Sequence, residues 1–251
     1  MAGKGGIGEY VPGKYAKRKP GTEERVGHYV RIWESRKLAQ EEAQRMAAAS
    51  SELAPCITFS RKIGVGALEI ADMVALKLGY KVADRELIEQ IANQSNISET
   101  AVAYFDERFP GYVNRTFKYL FGEKAFIDSD YSRHLISAVV AIAGLEPTVF
   151  VGRGAHLILP RERVLAVRCI GSDEYRAKRI ADIMRISKAD ARKKLSSIDK
   201  EQAVFFKKVF GKKAASPYEF DMVMNLDHLV NPGDVADIVA LAFNKKFKPA
   251  I

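Results

Sequence analysis

Short apolar runs alternate with stretches whose apolar residues recur every three to four positions, beginning at Cys56 and ending near the C-terminus. Ile57-Thr58-Phe59 has the run length of a buried strand and enters a turn holding Gly64 and Gly66. Ala67, Ile70, Ala71, Val74 and Leu78 then fall on one face of a helix that Gly79 ends. Tyr80 to Ala83 predicts a short second strand finishing at Asp84, and residues 85–145 read as mainly helical, with a break at Phe109-Pro110-Gly111. "TVFV" at 148–151, "VLAVRCI" at 164–170 and Met222 to Asn225 predict three more strands, followed by a helix from about Asp234. Strands alternating with helices predict an α/β fold with a parallel sheet, whose ligands sit at the strand C-terminal ends.

The N-terminal fifth has a different character. Residues 1–27 are rich in Gly, Pro, Lys and Arg without periodicity and predict a flexible arm. Its "GKGGIG" at 3–8 has no preceding strand, which counts against a phosphate loop there. Tyr29 to Ala49 predicts a helix, and Pro55 closes the linker. The expected division is therefore 1–50, a basic arm and helix, and 51–251, the folded domain.

Composition adds limits. In 251 residues, 47% hydrophobic and 28% charged side chains suit a globular chain. The longest apolar run, Leu135 to Leu145, is too short to cross a bilayer. No apolar signal core opens the chain, so the expectation is a soluble, cytoplasmic protein without membrane partners. Cys56 and Cys169 both fall in predicted strands and read as buried free thiols. The net charge of +9 is concentrated: residues 176–213 alone carry 13 basic and 4 acidic side chains. Such a segment suits nucleotide phosphates or a nucleic acid.

The glycine turn admits two readings. Gly64-x-Gly66 with Asp84 some 20 residues on has the spacing of a dinucleotide fingerprint. Glu69, however, takes the third glycine position, where a carboxylate repels a pyrophosphate. The second reading is a phosphate loop, formed by backbone N–H groups and a helix N-terminus. Its usual Gly-Lys-Ser/Thr is absent, because Ala67-Leu68 follows Gly66.

Several segments together resemble the cytidylate kinase-like branch of the P-loop nucleoside monophosphate kinases, over about residues 56 to 243. They are "ITFSRKIGVGALEIADMVALKLGYKVADRELIEQIA", "TVFVGRGAHLIL", "YRAKRI", and "IDKEQAVFFKKVFG" followed by "FDMVMNLDHL". The resemblance implies a three-layer P-loop NTPase-like parallel sheet flanked by helices, with a helical lid at about 172–213. It implies ATP and Mg²⁺, and transfer of the γ-phosphoryl to a nucleoside monophosphate or similar small acceptor. Members of that branch carry Ser-Arg-x-x-Gly-Ser-Gly-Gly-Arg at the loop, so they too lack the P-loop lysine. This chain keeps Ser60, Arg61, Gly64 and Gly66, but has Val65, Ala67 and Leu68 where the serine, glycine and arginine stand.

By that resemblance, Ser60, Arg61, Lys62 and the Gly64, Val65, Gly66, Ala67, Leu68 backbone hold the nucleotide. Asp84 faces the acceptor nucleoside, or caps the helix that follows it. Arg153 grips the acceptor phosphate, although Gly154 stands where the branch has an aspartate. Arg176, Arg179, Arg185 and Arg192 are lid arginines placed to close over phosphates, with Arg61, Arg179 and Arg185 nearest to catalysis. Ser172 and Ser187 predict helix starts in the lid, and Asp199 predicts a third, carrying Phe205, Phe206 and Val209. Metal ligands are not assignable, since Val65 and Leu68 offer no hydroxyl. A nucleotide sensor without turnover on the same fold, and a nucleic-acid surface made by lid and arm, stay open as alternatives.

Overall fold

The computed structural model describes residues 21–43, 53–94, 130–212 and 215–247. The expected break at Phe109-Pro110-Gly111 and the "GKGGIG" stretch lie outside them. β1 (Cys56–Arg61), β2 (Lys81–Asp84), β3 (Thr148–Val151), β4 (Val164–Ile170) and β5 (Met222–Asn225) form one five-stranded sheet in the order β2-β3-β1-β4-β5. Every pairing is parallel. Six consecutive buried residues in β1 are what a central strand covered on both faces requires.

α2 (Ala67–Leu78) and the C-terminal helix cover one face, burying Ile57, Phe59, Val149 and Val167 against Ile70, Val74, Val239 and Phe243. α1 (Thr22–Ala43), α3 (Arg85–Asn93) and α4 (Asp130–Leu145) cover the other, where Phe150 and Ala166 meet Ile88, Ile91, Leu135 and Val139. α1 begins at Thr22, so part of the stretch read as an arm is helical. Trp33, Tyr29 and Val26 dock it into the core. Cys56 and Cys169 are free and buried, as expected. Burial pushes both thiols up to about 12. Among the described residues no helix is long and apolar enough to cross a membrane.

After β3 comes the single-turn α5 (Ala155–Ile158), and after β4 come α6 (Asp173–Met184) and α7 (Lys188–Phe210). α8 (Pro232–Phe247) closes the chain. Ser172 and Ser187 cap α6 and α7 as the sequence suggests, accepting from the Tyr175 and Asp190 amides. No helix starts at Asp199, however: α7 runs unbroken for 23 residues. Its start packs on α6 through Ala191 and Leu195, while Val209 and Phe210 are planted in the main core.

Candidate nucleotide and acceptor site

Parallel register brings Arg61, Asp84 and the residues after Val151 to one sheet edge, since Phe59 and Asp84 both align with Val151. Beyond β1 the chain turns through Gly64 (φ 93°) and Gly66 (φ 85°) before α2 begins. That left-handed backbone is cheap only for glycine. No side chain caps α2, so its first N–H groups keep their capacity to bind an anion. Val65, Ala67 and Leu68 are buried in the core, so these three offer a ligand backbone alone.

A Cβ at Gly66 would lie 2.9 Å from Arg179 Nε, so the Arg179 guanidinium rests directly on the loop. Its Nη2 donates to Glu69 Oε1 at 2.6 Å. The carboxylate in the first turn of α2 is thus offset by a lid cation, and the same cation stands where phosphates would approach.

The other lid arginines behave differently. Arg176, expected over phosphates, is 1% exposed and fully engaged. It donates to the Ile63 carbonyl at 2.7 Å, to Asp173 at 2.8 Å and to Asp199 at 2.9 and 2.6 Å. It binds α6 to α7 and to the loop. Arg185 ends α6 in left-handed backbone (φ 56°) with its side chain exposed. Arg192 and Lys188 share Glu174 on the lid surface. Lys62 approaches Asp173 at 3.9 Å and is half exposed. Ser60 is also turned away from the loop, its buried hydroxyl accepting from Arg168 Nη1 at 2.6 Å.

Across the sheet edge, Gly152, Arg153 and Gly154 form three successive left-handed residues (φ 93°, 51° and 70°). The Gly152 amide donates to the Phe59 carbonyl at 2.9 Å and pins this turn to β1. Its missing side chain lets Arg61 in, because a Cβ would be 3.0 Å from Arg61 Nη1. At Gly154 a Cβ would sit 2.5 Å from the Phe210 ring. The aspartate that the resemblance expects at this position is therefore excluded by α7.

Arg153 stacks on the Phe205 ring, 4.1 Å from its centroid, and pairs with Glu89. Its Nε is buried without a partner. Burial and the adjacent Arg85 and Arg61 charges lower it to about 9, which an anion among the three guanidinium groups would reverse. These arginines line a cavity of about 160 Å³ with Glu201, Gln202 and Phe206. Arg85 is absent from the sequence-based candidates, although it directly follows Asp84 at a strand end. Gln202 donates to the Arg61 carbonyl at 3.0 Å.

Asp84 plays the capping part of its two readings. It accepts from the Leu87 amide at 2.9 Å and from Arg25 Nη1 at 2.8 Å, and it is 3% exposed. No group of three or more His, Cys, Asp or Glu side chains suited to a metal occurs among the described residues. The loop itself does not fit a protein-held Mg²⁺, since Val65 and Leu68 are apolar and Glu69 is paired.

Three solved structures align with the chain. An uncharacterized protein from Eubacterium ventriosum aligns at a TM-score of 0.59 and 18% identity, covering 76% of this chain and 98% of its own. Shikimate kinase from Bacteroides thetaiotaomicron gives 0.39 at 13% identity, covering 76% and 96%. Dephospho-CoA kinase from Campylobacter jejuni gives 0.31 at 14%, covering 78% and 98%. No curated protein matches the sequence. The model of the cytidylate kinase-like family matches residues 56–228, which hold all five strands, the glycine loop, the arginine cluster and the lid. The expected parallel sheet flanked by helices is the one found, and the chain belongs to the cytidylate kinase-like family.

Proposed function

We propose that the protein binds ATP phosphates at the 64–68 loop and transfers the γ-phosphoryl to a nucleoside monophosphate or similar small phosphorylated acceptor. The observation carrying this reading is the cluster of Arg61, Arg85 and Arg153 around one cavity, with Arg153 Nε unpartnered. Glu89 pairs with Arg85 and Arg153, and Glu201 lines the same cavity. Two carboxylates thus face three guanidinium groups, and an anion reaching the buried Arg153 Nε completes the set. An acceptor phosphate there is already nucleophilic, so positioning and charge compensation are the main tasks left to the chain. The loop N–H groups and Arg179 orient and neutralise the donor phosphates, and Arg61 stands between the two halves. Mg²⁺ would neutralise donor oxygens when bound with the nucleotide, but no residue is assigned to it.

A second reading, nucleotide binding without turnover, is favoured by Val65 and Leu68, which bring neither hydroxyl nor guanidinium to the loop. Incubation with ATP/Mg²⁺ and each of CMP, dCMP, UMP and AMP separates the two. Diphosphate product with any acceptor supports the kinase. Nucleotide binding with no diphosphate supports the sensor and rejects the kinase.

A further inference from the structure

Arg168 is a cation in an unusual place. It sits in the middle of β4, aligned with Ser60 on the central strand. Its Nη1 donates to the Ser60 hydroxyl, a neutral partner, and the Phe220 ring lies 5.8 Å away. Among the described residues no carboxylate comes within ion-pair distance of it. Arg168 is part-buried, and the Glu219 and Asp199 carboxylates act on it only from beyond ion-pair distance. Its desolvation is therefore offset in part, and a ligand anion in the cavity would complete the compensation.

The guanidinium opens onto a cavity of about 320 Å³, also lined by Lys62, Lys212, Gln202 and Phe206. Two carboxylates line it as well, Asp199 and Glu219. Both are already matched, Asp199 by Arg176 through both oxygens, and Glu219 by Lys212 at 2.7 Å with His156 at 3.4 Å. The uncompensated charge facing the cavity is therefore positive. Its volume suits a small molecule of nucleotide-fragment size rather than a single water. Gln202 and Phe206 are shared with the cavity of Arg61, Arg85 and Arg153, so the two lie side by side beneath α7.

The geometry points to a second anion-binding subsite centred on Arg168, taking a phosphate or carboxylate group of a small molecule. This goes beyond the proposed phosphoryl transfer and does not depend on it. The anion is either a second group on the acceptor or a separate small ion, and the chemistry recognised is the same.

Calorimetric titration of the full chain with inorganic phosphate tests the inference. The wild-type chain should bind phosphate at a site that depends on Arg168, in addition to the donor loop and the Arg153 cavity. Arg168→Gln should remove one site or weaken it by about tenfold or more, as expected for a lost charge-assisted hydrogen bond. Arg153→Asn should leave the Arg168 site intact, so that failure of the acceptor-pocket reading shows separately, as an Arg153→Asn chain indistinguishable from wild type. Should Arg168→Gln not fold, Lys62→Gln on the exposed rim and Arg168→Lys replace it, each expected to weaken the same site. Phosphate binding unchanged by these substitutions overturns the inference. Adding a nucleoside 3′,5′-bisphosphate, which carries two phosphates, identifies the source: loss of the Arg168 phosphate assigns it to a second group on the acceptor, and retention assigns it to a separate ion.

Discussion

Arg25 Nη1 donates to Asp84 Oδ2 at 2.8 Å, tying a helix that precedes the family-matched segment to the end of β2. Arg25 also donates to the Val82 carbonyl at 3.3 Å. With Asp84 nearly buried, the pair places α1 within the folded unit rather than beside it. Arg25→Ala leaves a buried carboxylate without its cation and should destabilise the chain by about 1–3 kcal/mol. Urea unfolding measures this, and an unchanged midpoint would show that α1 docks through Trp33 and Tyr29 alone.

Glu69 holds Arg179, the cation that the proposed function assigns to the donor phosphates. Glu69→Gln should tighten nucleotide binding several-fold, whereas Arg179→Ala should weaken it by about tenfold or more. Fluorescent-nucleotide titration reads both. Equal affinities across the three proteins would remove Arg179 from the phosphate site.

In the proposed acceptor cavity, Arg153→Asn tolerates the left-handed backbone while deleting the guanidinium. It should lower kcat/KM for the acceptor by about a hundredfold or more, and Arg85→Ala should act in the same direction. Steady-state kinetics at saturating ATP supply the measurement. Loss of ATP affinity instead would relocate the cluster's role to the donor.

Gly154 is held against Phe210 at φ 70°. Gly154→Ala should destabilise by about 1–3 kcal/mol through overpacking and backbone strain. Gly154→Asp, although it restores the residue of ordinary cytidylate kinases, should destabilise as well. Adding Phe210→Ala to Gly154→Ala should return the clash component, which a double-mutant cycle isolates.

His156 is lowered to about 4, chiefly by burial, while the Glu219 carboxylate partly opposes the shift. The folded chain therefore holds fewer protons at this residue than the unfolded chain between the ordinary histidine value of 6.5 and about 4. Its contribution to stability is complete above pH 6.5 and is lost as the pH falls through that window. Denaturation midpoints should decline across it in the wild-type chain and less steeply in His156→Gln.

What the sequence made legible were features with local causes. β1, the glycine turn, the buried face of α2, and the Ser172 and Ser187 caps all follow from period, run length or a single capping residue. Asp199 resembled another helix start because aspartate is a common N-cap residue. Its carboxylate is instead engaged by Arg176 from α6, a tertiary partner that no local pattern announces. For the same reason Arg176 reads as a phosphate ligand in the sequence and as a clamp in the fold. Arg168 and Arg85 went unread because a lone arginine in or after an apolar run carries no period. Only parallel pairing and the packing of α7 place them beside cavities.

The unbroken course of α7 changes what a lid can do in this protein. At 1.5 Å per residue it is a rod about 34 Å long. Its first turns ride with Arg179's helix, and its last turn is seated under Gly154. The helix has no joint at Asp199. The element packed on Arg179's helix and the rings Phe205 and Phe206, which line the cavity of Arg61, Arg85 and Arg153, are therefore parts of one continuous rod.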